Sequence, residues 1–194
     1  MLNSKYYIIN AITLYRIITA PLLLVLILTG QESVFKWLLV CSFFTDAIDG
    51  YLARRFNIVS RWGARLDSIG DDLTVFVAIV GLFLLKHDFV REQFVLIMVM
   101  IGLYVIQTIM AIIRYGKLTS FHTYSAKVAA VLQGVFLISV FFTTIPSAEL
   151  FHLGAFFTIV NLLEEIILVQ LLPKWQTDVK GLYWVLKSRK IKQL

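Results

Sequence analysis

A single cysteine, Cys41, in a chain of 194 residues leaves no internal disulfide and no cysteine-rich metal centre, so it reads as a small packing residue. Proline is nearly as scarce: of three, Pro146 and Pro173 fall near the ends of apolar runs, and Pro21 lies inside one, where neighbouring helices compensate a kink. Charged residues make up only 15% of the chain against 59% hydrophobic residues, with a mean hydropathy of +0.84. Soluble domains stay near ~45–50% apolar, which excludes water as the main solvent. No Ser/Gly linker, low-complexity run or internal repeat divides the chain, so residues 1–194 are expected to form one domain. The net charge of +6 comes without a DNA-binding motif; membrane lipid headgroups and phosphate substrates fit it better than nucleic acid.

What is present is a series of six apolar segments, Asn10–Thr29, Val34–Ala53, Gly63–Leu85, Phe94–Ile113, Ser125–Ile145 and Leu150–Leu172. Each approaches the ~20 residues that cross a ~30 Å hydrocarbon core as a helix. Barrel strands would instead alternate over ~10 residues, so the spacing predicts an all-α integral membrane bundle of six transmembrane helices. The first segment begins after Tyr7 and lacks an Ala-x-Ala cleavage pattern, so it is expected to remain as the first span rather than act as a secretion signal.

Placing each Lys and Arg at its nearest span end puts 15 of 18 on one side and leaves only Lys36, Lys86 and Arg91 on the other. That bias places the rich side, and with it both termini, in the cytoplasm of a multi-pass protein of the cell (inner) membrane. The tail 174–194 mixes Leu182, Tyr183, Trp184, Val185 and Leu186 with Lys187, Arg189 and Lys190; it is either a helix lying in the interface or an unstructured basic tail.

Twelve acidic residues are few, yet Asp46, Asp49, Asp67, Asp71 and Asp72 crowd into the second and third apolar segments. An ionised carboxylate at the bilayer centre costs at least ~2.5–3.5 kcal/mol, so such groups face a wet cavity or a countercharge. Asp46 and Asp49 are three apart and Asp67 and Asp71 four apart, so each pair shares a helix face; Asp72 points ~100° away from Asp71. The loop Arg55–Trp62 has an ordinary length for antiparallel neighbours, and Asp46 and Asp71 each lie ~12 Å from it, at one level. Converging carboxylates are relieved by protonation, basic partners or divalent cations, and hard oxygen ligands favour Mg²⁺, Mn²⁺ or Ca²⁺. Mg²⁺ typically joins a few carboxylates to substrate phosphates, which points to a phosphate ester substrate, with a spare carboxylate to take the acceptor proton. Gly50 and Gly63 would let a nucleotide approach the backbone.

Plainer readings stand beside these. Paired membrane aspartates also suit a cation transporter or channel, Gly50 suits helix packing, and Arg55 and Arg61 suit topology signals.

Read as one pattern, Asp46-x2-Asp49-Gly50-x2-Ala53-Arg54-x8-Gly63-x3-Asp67-x3-Asp71 fills every position of the signature of the CDP-alcohol phosphotransferase family, and the six-segment layout resembles that family over the whole chain. The resemblance implies an acceptor hydroxyl that attacks the donor's phosphate and expels CMP. Asp46, Asp49, Asp67 and Asp71 then resemble the ligands of one or two Mg²⁺ or Mn²⁺ ions, with Asp71 also the general base. Asp49, Gly50, Ala53, Arg54, Gly63 and Asp67 resemble the CDP-binding positions, Arg54 offering a planar fork to phosphate oxygens. A homodimer is also implied.

A second likeness, Asn10-x2-Thr13-x2-Arg16, is similar to the opening of phosphatidylglycerophosphate and cardiolipin synthases, and would place Arg16 on donor phosphate as an alternative to a membrane-end anchor. Those synthases carry Gly-Lys-Val-Lys-Thr-x2-Gln in the fifth span; here Lys127 and Gln133 are kept, the second Lys and the Thr are replaced, and Asp72 stands where they tend to have Lys. Arg65, Arg114, Lys117, His122 and Lys127 fall at cytoplasmic ends of the third to fifth spans and are candidates for an anionic acceptor, Arg114 and Lys127 first. Glu164 and Glu165 in the sixth span either line a cavity, pair with a basic residue or carry protons. The nearest expected activity is transfer of a phosphatidyl group from CDP-diacylglycerol to a polar acceptor; the variant with CDP-choline or CDP-ethanolamine as donor and diacylglycerol as acceptor uses the same aspartates.

Overall fold

The computed structural model describes the backbone of residues 2–56, 61–119 and 121–191, and the side chains of residues 14–15, 17–45, 48, 70, 73–119 and 121–188. Among them the chain is helical without extended strands: α1 Leu2–Leu28, α2 Glu32–Phe56, α3 Arg61–Leu85, α4 His87–Glu92, α5 Phe94–Tyr115, α6 Tyr124–Ser139, α7 Ala148–Leu171 and α8 Leu182–Ile191. Each of the six apolar segments has become one helix, with two short additions. α8 falls in the tail, which decides its secondary structure in favour of helix.

The helices start and stop for local reasons. α1 runs through Pro21 and ends at Gly30, whose φ of 73° is a left-handed conformation that glycine adopts without steric cost. There the Gln31 amide donates to Leu26 O at 2.9 Å and the Gly30 amide to Ile27 O at 3.1 Å, the paired bonds of a Schellman ending. Gly116, φ 66°, closes α5 by donating to Ile112 O at 2.8 Å. Thr123 opens α6 by accepting from the Ala126 amide at 3.1 Å, and Ser147 opens α7 by accepting from the Leu150 amide at 3.2 Å.

α6 is the departure from expectation. It stops at Ser139 rather than continuing to Ile145, so its 16 residues fall short of a full span. Thr143, Thr144 and Ile145 are β-branched, and Pro146 disfavours helix in the residue before it. The carbonyls freed in this stretch find a partner in Lys86, whose Nζ donates to Thr143 O at 2.7 Å.

The chain divides into two compact units that interleave in sequence: Met1–Asp88 with Leu137–Ile145, and Phe89–Phe136 with Pro146–Leu194. In the first, α1 packs on α2 and α3, which also touch each other. Its core is Leu23, Ile27, Phe35, Leu39, Val77, Ala78 and Val140. Gly81 lets α3 come close: a Cβ there would lie 3.0 Å from Phe35 Cζ and 3.2 Å from Ile27 Cδ1, the small-residue packing common between membrane helices.

In the second unit α5 packs on α7, and α7 touches α8. An aromatic group of Phe89, Phe136 and Phe151 holds one end, with ring centroids 5.2–5.7 Å apart. Ala111, Phe121, Leu168, Val169, Leu172 and Val179 form the other core. Among the described residues, α5 and α7 are long and apolar enough to cross a bilayer, and Ile17–Leu28, Leu73–Leu85 and Tyr124–Ser139 are shorter apolar helices. Within this unit α5 leaves Val95 75% and Ile113 80% exposed, as a lipid-facing helix does.

Candidate active site

α2 carries Asp46, Asp49, Gly50, Ala53 and Arg54, and α3 carries Gly63, Arg65, Asp67, Asp71 and Asp72. Asp46 stands ten residues before the end of α2 and Asp71 ten residues after the start of α3, so at ~1.5 Å per residue both are ~15 Å from the link between the helices. The two helices touch, and Asp46–Asp49 and Asp67–Asp71 each keep the spacing of one helix face. The side chains of these ten residues, and of Arg16 on α1, lie outside the described residues, as does the link 57–60.

Beneath this level are described polar groups. Ser42 and Thr74 are 0% and 3% exposed, one turn deeper than Asp46 and Asp71 respectively. Thr74 Oγ1 donates to Gly70 O at 2.8 Å, whereas Ser42 Oγ is buried without a hydrogen-bond partner among the described residues.

The basic residues expected to receive an acceptor fall into separate settings in the second unit. Arg114, in the last turn of α5, donates from Nε to Leu172 O at 3.2 Å, and the Tyr115 hydroxyl lies 3.0 Å from Val169 O and 2.9 Å from Leu172 O. These contacts serve carbonyls at the end of α7 that have no partner within the helix. Lys117 lies over the Trp175 ring, 5.1 Å from its centroid. His122 and Lys127 are brought together: with Tyr124, Asp178 and Lys180 they line a cavity of about 180 Å³. Tyr124, Asp178 and Lys180 carry no pocket signal in the sequence, because nothing in their spacing ties residues 178–180 to the start of α6.

Glu164 and Glu165 find partners of two kinds. Glu165 Oε2 accepts from Gln107 Nε2 at 2.9 Å and Thr119 Oγ1 at 3.2 Å, and its Oε1 accepts from Asn161 Nδ2 at 3.3 Å. Glu164 Oε1 accepts from the Leu182 amide at 2.7 Å, at the start of α8, and its Oε2 accepts from the Ser125 hydroxyl near the start of α6. Asn161 Oδ1 accepts from Thr123 Oγ1 at 2.9 Å and Ser125 Oγ at 3.1 Å. The two glutamates are thus part of a hydrogen-bonded network of neutral donors that ties the ends of α6 and α8 to α7. Gln107, 3% exposed within the apolar α5, is the member whose sequence signal was available: a polar side chain in a membrane segment asks for a partner. Among the described residues no cluster of His, Cys, Asp and Glu could hold a metal ion.

Comparison with known proteins bears on the aspartate-bearing helices. The chain is 36% identical over 86 residues to the CDP-diacylglycerol–glycerol-3-phosphate 3-phosphatidyltransferase of Rickettsia typhi, covering 43% of this chain and 47% of the relative. It is 30% identical over 105 residues to the enzyme of the same name from Bacillus subtilis, covering 46% and 53%. It is also 41% identical over 66 residues to the CDP-diacylglycerol–inositol 3-phosphatidyltransferase of Saccharomyces cerevisiae, covering 34% and 30%. The chain spans about half the length of the first two and less of the third. No solved structure matches. The family model for CDP-alcohol phosphatidyltransferases matches residues 6–168, from α1 into α7 and across both aspartate-bearing helices, and the chain therefore belongs to the CDP-alcohol phosphatidyltransferase family.

Proposed function

We propose that this chain transfers a phosphatidyl group from CDP-diacylglycerol to the hydroxyl of a polar acceptor, releasing CMP, as a six-span protein of the cell membrane with its active site toward the cytoplasm. The observation that carries this reading is the run Asp46 to Asp71, which fills the family signature and lies on two touching helices at matched levels. Glycerol-3-phosphate is the acceptor named for the Rickettsia and Bacillus relatives and inositol for the yeast one, which makes a polyol or its phosphate the proposed acceptor class.

In this reading Asp46, Asp49, Asp67 and Asp71 hold one or two Mg²⁺ or Mn²⁺ ions, for which four hard carboxylate ligands are a fitting donor set. Bound there, the metal neutralises phosphate charge. Arg54 takes two phosphate oxygens through its planar fork, and Gly50, Ala53 and Gly63 leave room for the cytidine. Asp71 accepts the proton of the acceptor hydroxyl as its oxygen bonds to the phosphatidyl phosphorus, and the bond to CMP breaks with its electron pair leaving on CMP. The basic residues Arg16, Arg65, Arg114, Lys117, His122 and Lys127 are the proposed contacts for phosphate or acceptor charge. One catalytic domain spans residues 1–194, and two copies pair as a homodimer.

The test uses protein purified in detergent with Mg²⁺ or Mn²⁺, a panel of CDP donors and hydroxyl acceptors, and CMP release as readout. A chelator and Asp71→Asn should each abolish turnover with CDP-diacylglycerol. Undiminished CMP release by Asp71→Asn would remove the base assignment, and turnover only with CDP-choline or CDP-ethanolamine and diacylglycerol would reverse donor and acceptor.

A further inference from the structure

The cavity of about 180 Å³ in the second unit has walls from two parts of the chain: His122, Tyr124 and Lys127 at the start of α6, and Asp178 and Lys180 in the stretch before α8. Residues 178 and 180 lie beyond the stretch 6–168 that matches the family. From these walls we infer that the cavity is a binding site for a phosphate group bearing a hydrogen-bond donor, and that the segment 173–181 completes it.

Size limits the occupant first. Pockets that enclose drug-sized ligands run to ~300–1,000 Å³, so this one takes a single small group and not a nucleotide. Charge limits it next. Two lysines and one aspartate line the cavity, with His122 and Tyr124 as further polar residues, which favours an anion. The aspartate then discriminates among anions. A carboxylate beside two ammonium groups accepts a hydrogen bond but offers none, so it suits a phosphate monoester that keeps a proton, or a headgroup with a free hydroxyl. Sulfate carries no such donor at neutral pH. Phosphate monoesters have a second pKa near ~6 and retain part of that proton near neutrality.

The walls are held in place. The Tyr124 ring has two neighbours, the Trp184 ring with centroids 5.1 Å apart and the Lys127 ammonium 5.4 Å from the Tyr124 centroid. The Tyr124 amide donates to Lys180 O at 3.2 Å, joining the two walls through the backbone. On either side of Lys180 the chain is clamped. Val179 is buried in the core with Phe121 and Leu168, and the Leu182 amide is held by Glu164. Gly181 between them has a φ of 147°, and a Cβ there would lie 2.9 Å from Glu164 Oε1 and 3.3 Å from the Trp184 ring. Lys180 is therefore an exposed side chain on a backbone fixed before any ligand arrives, which lowers the ordering cost of binding.

The ligand phosphate has two sources, a soluble phosphate monoester or a hydroxyl-bearing lipid headgroup, and lysine footprinting of the full chain separates them. Lys127 and Lys180 are acylated with an amine-reactive reagent and quantified by mass spectrometry, with exposed Lys187, outside the cavity, as internal control. Inorganic phosphate added to lipid-free protein in detergent should slow acylation of both cavity lysines roughly tenfold relative to Lys187, with sulfate much less effective. If the source is lipid, the same protection appears in phosphatidylglycerol nanodiscs and not in phosphatidylcholine nanodiscs. Lys180→Ala should weaken protection of Lys127 roughly tenfold, Lys180→Arg should restore most of it, and Asp178→Asn should narrow the gap between phosphate and sulfate. No protection by either probe would overturn the site, and Lys180→Ala with Lys127 still fully protected would overturn the part given to the segment. The site shares His122 and Lys127 with the proposed acceptor contacts and to that extent rests on that reading, but the footprint reads binding alone. A chain that binds phosphate without releasing CMP refutes the proposed reaction and leaves this site standing, whereas CMP release without protection refutes the site and the part given to His122 and Lys127 but leaves the aspartate chemistry.

Discussion

Ser42 is fully buried and its hydroxyl has no hydrogen-bond partner among the described residues, an arrangement that costs a folded protein ~1–3 kcal/mol against a satisfied one. Ser42→Ala removes the stranded group and little volume, so the purified variant should melt no lower than wild type, with a gain of up to ~1 kcal/mol. A melting point lowered by several degrees would mean that the hydroxyl is paired in the working protein. Residues of this kind also mark how far the sequence could be read. The aspartates of α2 and α3 stood out because a carboxylate in an apolar run is costly wherever its helix sits, a property of local composition alone. Glu164 and Glu165 stood out for the same reason, yet their roles did not, because their partners come from residues 107, 119, 125, 161 and 182 and only the fold brings these together. Ser42 gave no signal, since a serine is unremarkable in a membrane helix until its surroundings are known.

The helices were legible almost to their ends, because apolar length and turn residues are written locally. α6 was the exception, cut short by a β-branched stretch before proline whose carbonyl partner, Lys86, lies 57 residues away. The end of α7 depends on equally distant partners, Arg114 and Tyr115 from α5. Tyr115→Phe keeps the ring and deletes the hydroxyl at the Val169 and Leu172 carbonyls, so it should destabilise the protein by about 1–2 kcal/mol in a thermal or denaturant melt. A melt superposable on wild type would show that solvent serves those carbonyls as well. α8 is fastened by a different contact, the Glu164 carboxylate on the Leu182 amide. In Glu164→Ala, hydrogen exchange at Leu182–Ile191 should speed up by tenfold or more while α5 exchanges as before, a loss of ~1.4 kcal/mol or more of local protection. Unchanged exchange in α8 would assign its docking to Leu182 and Val185, which pack on the core beside α7, and to Trp184 against the Tyr124 ring.

For the whole molecule the question is which side each end of a helix faces. Two of the three basic residues on the side poor in charge have local partners in the first unit: Lys36 lies 5.3 Å from the Phe142 ring centroid, and Lys86 binds the Thr143 carbonyl. The sequence-based expectation puts the remaining basic residues, Arg91 apart, on the opposite, cytoplasmic side. α7 offers a test within one element. Its 24 residues measure ~36 Å, enough to cross, with exposed Glu149 in its first turn and exposed Lys174 just past its end. In a Cys41→Ser background, which removes the one native thiol, Glu149→Cys should react with a membrane-impermeant maleimide on intact cells, and Lys174→Cys only after permeabilisation. Labelling of both from the same side would mean that α7 does not span, and labelling with the sides exchanged would invert the topology. The outcome also constrains the catalytic proposal. In the proposed six-span topology the link between the aspartate helices shares a side with Lys174, so an inverted result would count against the proposed cytoplasmic active site.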